Sequence, residues 1–366
     1  MKKKIMSAAL MTVLTASVIA TGVHADEAVK VGYPSSPAFN EVMSAMTENR
    51  DAITEAAGCE SVGELFEFND ATAVTAVENL ITDGCKAISV TPFSDDVMYT
   101  ITDMCDEAGV YFALSMRTII SDEVREYVEA SDYFIGEVFE NDYSCGYELG
   151  KALAESGATN YCLLTNAADN TSGQRREQGL EDAAQEFGLT CLDTYRNPAD
   201  ATEAQSAVET WIGKYGSELQ GIIRLGSTAG GDVTAICAKL EENKDLGIKF
   251  LSADMESACK DYLASGVMYA CGDVGNILDS AAVTVLTTRA ALGNPISEEP
   301  VQIAIDFQLY TTPEDIDEYF SYVAVDDPLF TAEQVNDTLM TMDASELQDY
   351  INSLTPETVK EMREAR

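Results

Sequence analysis

Leu80-Ile-Thr-Asp-Gly84-Cys-Lys-Ala-Ile-Ser-Val-Thr-Pro92 decides how the rest of the chain is read. Its first half ends an amphipathic helix, and Gly84 supplies the left-handed residue that closes such a helix. Ala87 to Thr91 is then a short apolar run of the kind that fills the middle of a sheet. Helix, glycine and buried strand in that order form the αβ turn of a parallel sheet. The unit recurs outward in both directions, with Gly109, Gly188 and Gly266 each standing just before another apolar run. Upstream, Val29 to Tyr33 reads as a strand, and Phe39, Val42, Met43, Met46 and Ile53 recur at helical spacing until Gly58. Further strands are expected at 65–68, 110–114, 133–138, 161–165, 189–193, 221–225, 249–253 and 267–271. About ten strands exceed what one strongly twisted open sheet carries. The pattern predicts an α/β protein of two doubly wound parallel-sheet lobes, with a ligand cleft where the carboxyl ends of their strands face each other.

Length agrees, since 366 residues are more than one hydrophobic core usually serves. The 63 acidic against 22 basic residues leave a net charge of −41, which repels nucleic acid and anionic lipid. Met1-Lys2-Lys3-Lys4, an apolar stretch to Ala20 and Val23-His24-Ala25 have the three parts of a secretory signal, so an exported protein beginning at Asp26 is expected. No later stretch is apolar enough to span a membrane. Loss of residues 1–25 removes three lysines, taking −41 to −44, together with His24, the only histidine. Without histidine, a hydrolytic triad and a histidine-bearing metal site are excluded, and the sequence calls for no cofactor and no metal. Nine cysteines without a C-x-x-C pair read as small buried hydrophobes rather than a disulfide framework.

Several landmarks occur in a fixed order. They are Val31-Gly-Tyr-Pro-Ser-Ser-Pro37-Ala-Phe39, the stretch 80–92, Glu107-Ala-Gly109-Val-Tyr-Phe, Asn141-Asp-Tyr-Ser-Cys-Gly146-Tyr-Glu-Leu-Gly150, Arg176-Glu-Gln-Gly179, Phe250-Leu-Ser-Ala-Asp254 and Leu263-Ala-Ser-Gly266. From Val29 to Pro295 the set resembles the periplasmic sugar-binding proteins of the ribose- and galactose-binding type. The resemblance implies a first lobe of residues 26–140 plus 274–303 and a second of 141–273 plus 304–366. From about Glu298 the composition turns to Asp, Glu and Thr. This acidic C-terminal extension is longer than the family's usual ending and is expected to pack on the second lobe.

The resemblance also implies a set of ligand-binding residues. Phe39 matches the aromatic wall of the first lobe, with a core position in its helix as the equal alternative. Arg176 matches the family's ligand-binding arginine, with Arg175 as its rival. Asp254, at the carboxyl end of an apolar strand, and Asp273, near the lobe crossover, match hydroxyl-bonding positions, and Asn141 is a further acceptor. Where sugar binders carry an Asp-Arg pair the chain has Ser115-Met116-Arg117, and where they carry Asn-Asp it has Gly226-Ser227. Arg224 sits in the apolar run Ile222-Ile223-Arg224-Leu225, where a guanidinium needs either an internal carboxylate or an anionic ligand. If Arg117, Arg176 and Arg224 converge on the cleft, the ligand tilts toward an acidic sugar derivative such as a uronate. Trp211 shares a helical face with apolar residues and reads as core, and Gly226 to Gly231 reads as a tight turn rather than a phosphate cradle.

The function implied is capture of a small polar ligand, a sugar or sugar derivative, by cleft closure and its delivery to the membrane subunits of an ABC importer. The protein would act as a monomer in the periplasm or on the outer face of the cell envelope, without nucleic acid. A sensor presenting its closed form to a chemoreceptor or sensor kinase uses the same cleft and is the alternative. An exported enzyme is the weakest reading, because Asp95-Asp96, the one adjacent acid pair that tempts it, stands at a helix start where capping explains it.

Overall fold

The computed structural model describes residues 28–35, 41–67, 69–227 and 230–366, so the export signal and Phe39 lie outside the described residues. Strand and helix alternate through the first ten units. Strands β1 (Lys30–Ser35), β2 (Glu60–Leu65), β3 (Ala87–Val90), β4 (Tyr111–Ser115) and β5 (Phe134–Glu140) are followed by helices α1 (Glu41–Ala56), α2 (Asp70–Thr82), α3 (Val97–Ala108), α4 (Asp122–Glu129) and α5 (Asp142–Glu155). Strands β6 (Asn160–Thr165), β7 (Thr190–Arg196), β8 (Gly221–Arg224), β9 (Lys249–Ser252) and β10 (Met268–Asp273) are followed by α6 (Thr171–Phe187), α7 (Ala201–Tyr215), α8 (Asp232–Glu242), α9 (Cys259–Ser265) and α10 (Asn276–Ala291). Two late strands, β11 (Val301–Ile305) and β12 (Gln308–Tyr310), precede α11 (Pro313–Tyr322), α12 (Ala332–Asp337), α13 (Ala344–Asn352) and α14 (Pro356–Glu364).

The strands form two six-stranded sheets in the orders β11-β5-β4-β3-β1-β2 and β12-β10-β9-β8-β6-β7, parallel throughout except for β12. Each sheet reverses its direction of growth once, between β1 and β3 and between β6 and β8. Loops diverge at such a switch point and leave room for a ligand beyond the strand carboxyl ends. Three segments cross between the sheets: Glu140 to Asp142, Asp273 to Asn276, and Ile305 to Gln308.

The glycine punctuation is as expected: Gly84, Gly109, Gly188 and Gly266 all have positive φ at helix ends. The second strand is displaced from the expected 65–68 to Glu60–Leu65. It is an edge strand bonded only to β1, and its alternating, half-exposed Glu-Ser-Val-Gly-Glu-Leu lacks the apolar run that marks a buried strand. Trp211 is core, and eight of the nine cysteines are buried.

Helices α5 and α6 pack so closely that a Cβ on Gly146 would lie 1.8 Å from the Arg176 carbonyl oxygen, and one on Gly179 would lie 2.0 Å from that of Tyr143. The C-terminal extension differs from expectation. Only α11 lies on second-lobe helix α9, where Lys260 pairs with Asp317, and α14 packs on α11. Helix α12 packs on α1, and α13 packs on β11 and α10, elements of the first sheet and its cover. The apolar side chains of these short helices, Val335, Leu339, Leu347 and Ile351, join a hydrophobic cluster that runs from α1 and α10 to the interior of the second sheet. The extension therefore bridges both lobes.

Candidate functional site

A cavity of about 210 Å³ lies between the two sheets, at the carboxyl ends of their strands. Pro34 lies at the end of β1, Thr91 and Phe93 follow β3, Met116 and Arg117 follow β4, and Glu140 ends β5. From the opposite side come Asn166 after β6, Gly226 and Ser227 after β8, Asp254 to Glu256 after β9, and Asp273 at the end of β10. The switch-point rule thus places the cavity in both halves.

The first-lobe wall is largely apolar, with Met43, Met46, Met116 and the tilted ring pair Phe66–Phe93, whose centroids are 5.9 Å apart. The Arg117 guanidinium lies 5.2 Å from the Phe93 centroid and donates to the Met116 carbonyl at 2.6 Å. Met116 has φ +62, a strained value for a side-chain-bearing residue. Asp279 on α10 holds that turn, accepting from the Met116 amide at 2.9 Å and the Ser115 hydroxyl at 2.7 Å. Burial pushes the Asp279 carboxyl up to about 7 despite those bonds. Arg50 on α1 is buried, lies over the Tyr33 ring and donates to the Pro34 carbonyl at 3.2 Å.

Across the cavity the charges are neutralised in place. Arg176 uses all three guanidinium nitrogens: Nε donates to Asp142 at 2.6 Å, Nη2 to Glu140 at 2.7 Å and Nη1 to the Leu225 carbonyl at 2.7 Å. Burial opposes its charge, but Asp142 and Glu140 outweigh burial and hold it cationic. Arg224 donates to Asp232 at 2.7 Å and to Asp254 at 2.5 Å. Burial alone would raise the Asp254 carboxyl, yet Arg224 and Arg176 bring it below its ordinary value. Asp273 has no such cation: its Oδ1 accepts from the Gly275 amide at 2.9 Å, and burial pushes it up to about 6.

Of the residues expected from sequence, Arg117, Arg176, Arg224, Asp254 and Asp273 line this one cavity. Asn141 is not among the lining residues. Its side chain caps α5, accepting from the Ser144 amide, and its own amide donates to Ile305 at the third crossover. Arg175 is exposed, whereas Arg176 is buried and lines the cavity. Of the three arginines on which the tilt toward an acidic ligand rested, Arg176 and Arg224 are bound to carboxylates of the protein itself, and Arg117 lines the cavity without an ion pair among the described residues. Arg50, Phe93, Asn166, Ser172 and Tyr319 also line the cavity and were not foreseen. Asn170 and Ser172 had a recognisable signal, an Asn-x-Ser helix start a short loop after a buried strand; Tyr319, 46 residues past β10 in sequence, had none. Asp95 stands apart from the cavity and accepts from the Ile120 and Ser121 amides.

The profile described as a periplasmic binding protein domain matches residues 33–289, well over half of the chain. The chain belongs to the periplasmic binding protein family. Among solved structures, this binding protein is similar to a twin-arginine translocation pathway signal protein from Burkholderia phytofirmans, with 15% identity over 81% of this chain and 94% of that one and a TM-score of 0.69. It is also similar to an ABC transporter solute binding protein from Bacillus halodurans with bound myo-inositol, at 19% identity over 80% and 98% and a TM-score of 0.64. A periplasmic solute binding protein of an ABC transporter from Actinobacillus succinogenes with bound D-allose gives 16% identity over 80% and 100% and a TM-score of 0.66. At these identities the likeness is one of fold. No curated protein matches the chain. Among the described residues no helix is long and apolar enough to cross a membrane.

Proposed function

We propose that this binding protein captures a small, neutral, hydroxylated molecule, a monosaccharide or cyclic polyol, between its lobes and delivers it unchanged to the membrane subunits of an ABC importer. Support comes above all from the charge balance of the cavity. Its buried guanidinium groups at Arg176 and Arg224 are already paired, while acceptors at Asp254 and Asp273 and buried polar atoms without protein partners, Arg117 Nε and Ser172 Oγ among them, border the space. A hydroxyl both donates and accepts, so a polyol can satisfy such a mixed set, and a sugar's apolar ring face suits the Phe66–Phe93 wall. A carboxylate ligand would have to be met by Arg50 or Arg117, whose guanidinium groups are already engaged by the Pro34 and Met116 carbonyls. The solved relatives with myo-inositol and D-allose fit the same ligand class. Closure follows from preferential binding to the closed cleft, about 5 kcal/mol of differential affinity being enough to move a mostly open population to a mostly closed one.

The test is thermal stabilisation of the purified protein by a panel of D-ribose, D-allose, D-galactose and myo-inositol beside D-glucuronate and D-galacturonate. A member present at a hundred times its Kd stabilises the fold by about 2.7 kcal/mol. Stabilisation by neutral members alone is expected; stabilisation by the uronates alone would overturn the neutral assignment.

A further inference from the structure

Tyr319 belongs to α11, in the C-terminal extension, beyond the residues matched by the family profile, yet it lines the cavity. It is 1% exposed. Its ring is wedged between Tyr310, with centroids 6.0 Å apart, and Phe320, edge-on at 5.2 Å. The helix that carries it is fixed at its start and along its middle. A reciprocal Thr312–Asp315 capping box with Pro313 starts it, and Asp317 and Glu318 pair with Lys260 of α9 and Lys360 of α14. Such anchoring leaves the phenol little freedom.

The hydroxyl faces the Asp273 carboxylate and interacts with it, yet among the described residues it has no hydrogen-bond partner of normal geometry. A buried phenol O–H without a partner costs free energy comparable to a lost hydrogen bond. Neighbouring Tyr310, in a comparable apolar setting, does have one, donating to Gln308 at 2.8 Å. Asp273 Oδ1 is bound to the Gly275 amide, and no guanidinium or ammonium bonds to the carboxylate. A donor and an acceptor therefore stand side by side at the cavity wall, each with capacity to spare.

We propose that Tyr319 is a specificity-determining, ligand-contacting residue supplied by the C-terminal extension, and that its hydroxyl donates to the same ligand hydroxyl that donates in turn to Asp273. This rests on the sugar-binding reading above. The clamp selects a hydroxyl over a hydrogen or a methyl at one ring position, because a ligand lacking it leaves both buried protein groups unsatisfied. It also makes the extension part of the site.

The experiment is calorimetric titration of the full mature chain with D-ribose, D-allose, D-galactose and myo-inositol, for the wild type, Tyr319→Phe and Tyr310→Phe, with ligand-free melting temperatures recorded in parallel. Tyr319→Phe is expected to bind the best panel member at least tenfold more weakly while melting within a few degrees of the wild type, since the contact of the removed hydroxyl with Asp273 falls outside normal hydrogen-bond geometry. Tyr310→Phe is expected to keep its affinity. Among monodeoxy forms of that sugar, the one lacking the clamped hydroxyl should bind wild type and Tyr319→Phe alike. Unchanged affinity in Tyr319→Phe overturns the inference and leaves the sugar reading intact. A fall in ligand-free melting temperature that accounts for the affinity loss assigns Tyr319 a structural role and overturns it as well. Failure of the wild type to bind any panel member overturns the sugar reading itself, and the inference with it.

Discussion

Arg176, on a helix of the second lobe, donates to Glu140, at the end of a first-lobe strand, at 2.7 Å, and both side chains are buried. The same guanidinium reaches Asp142 just past the crossover and the Leu225 carbonyl after β8, so one residue ties together three segments at the base of the cleft. All three of its nitrogens are taken up by protein acceptors, which holds these segments together at the cavity wall.

Arg176→Ala should therefore be a folding mutation before it is a binding mutation. It leaves two carboxylates buried without their cation, a change that costs about 3–5 kcal/mol. Urea unfolding is the measurement. A loss below about 1 kcal/mol, with affinity alone reduced, would restore Arg176 to direct ligand contact.

The sequence made the lobes legible because a parallel sheet writes itself as glycine-punctuated apolar runs, and those runs were found at β3 to β6 and β8 to β10. It failed at β2, whose edge position removes the apolar signature, and it did not foresee β11 and β12, which lie beyond the repeating unit. For the site, strand carboxyl ends pointed to Asp254 and Asp273, and both line the cavity. What a sequence cannot carry is pairing. Nothing near Arg224 in the chain indicates that Asp254, 30 residues on, would neutralise it, and nothing indicates that Tyr319 would return to the cavity. Asn141 shows the opposite limit, since an asparagine before a helix is as good a cap as a ligand residue, and here it caps.

Gly146→Ala should destabilise strongly. A methyl group there would fall 1.8 Å from the Arg176 carbonyl oxygen, which is backbone and cannot rotate away, so α5 and α6 must separate. Overpacking of this kind costs about 1–3 kcal/mol or more. Gly213→Ala is the control, because a Cβ at that helical site meets nothing within 4 Å. It should be neutral or slightly stabilising, and equal melting temperatures for the two variants would contradict the close helix contact.

Ligand-free stability should rise as the pH is lowered from 8 to 5. Asp273 and Asp279 sit at about 6 and about 7 in the fold, raised by burial, against roughly 3.9 in the unfolded chain. Between those values the folded state binds more protons, so stability is greatest on the acid side and is lost as pH rises through 6 to 7. Glu140 and Glu256, also raised by burial, act in the same direction, whereas Asp254, held low by Arg224 despite its burial, weakens the fold only at more acid pH. Easing of the large negative charge also favours low pH, so the comparison that decides is Asp273→Asn, which should shrink the pH 5 to pH 8 difference in melting temperature. A full difference in that variant would remove Asp273 as a cause.

The part of the C-terminal extension that carries α12 and α13 should prove to be thermodynamically part of the first lobe. The Asn49 side chain, buried on α1, donates to the Ala45 carbonyl at 2.7 Å and accepts from the Leu329 amide at 2.7 Å, in the turn between α11 and α12. Arg363 and Arg366 brace that turn from the other side through Asp327 and the carbonyls of Pro328 and Leu329. Asn49→Ala deletes the side-chain acceptor of the buried Leu329 amide, which costs about 1–3 kcal/mol. Amide hydrogen exchange localises the effect. Leu329 and its neighbours in the turn should exchange faster in the variant, while amides of β6 and β8, far along the second sheet, should change only as much as global stability does. If the turn keeps its wild-type protection, the Asn49 contact does not anchor the extension, and α12 and α13 hold to the first lobe by apolar packing alone.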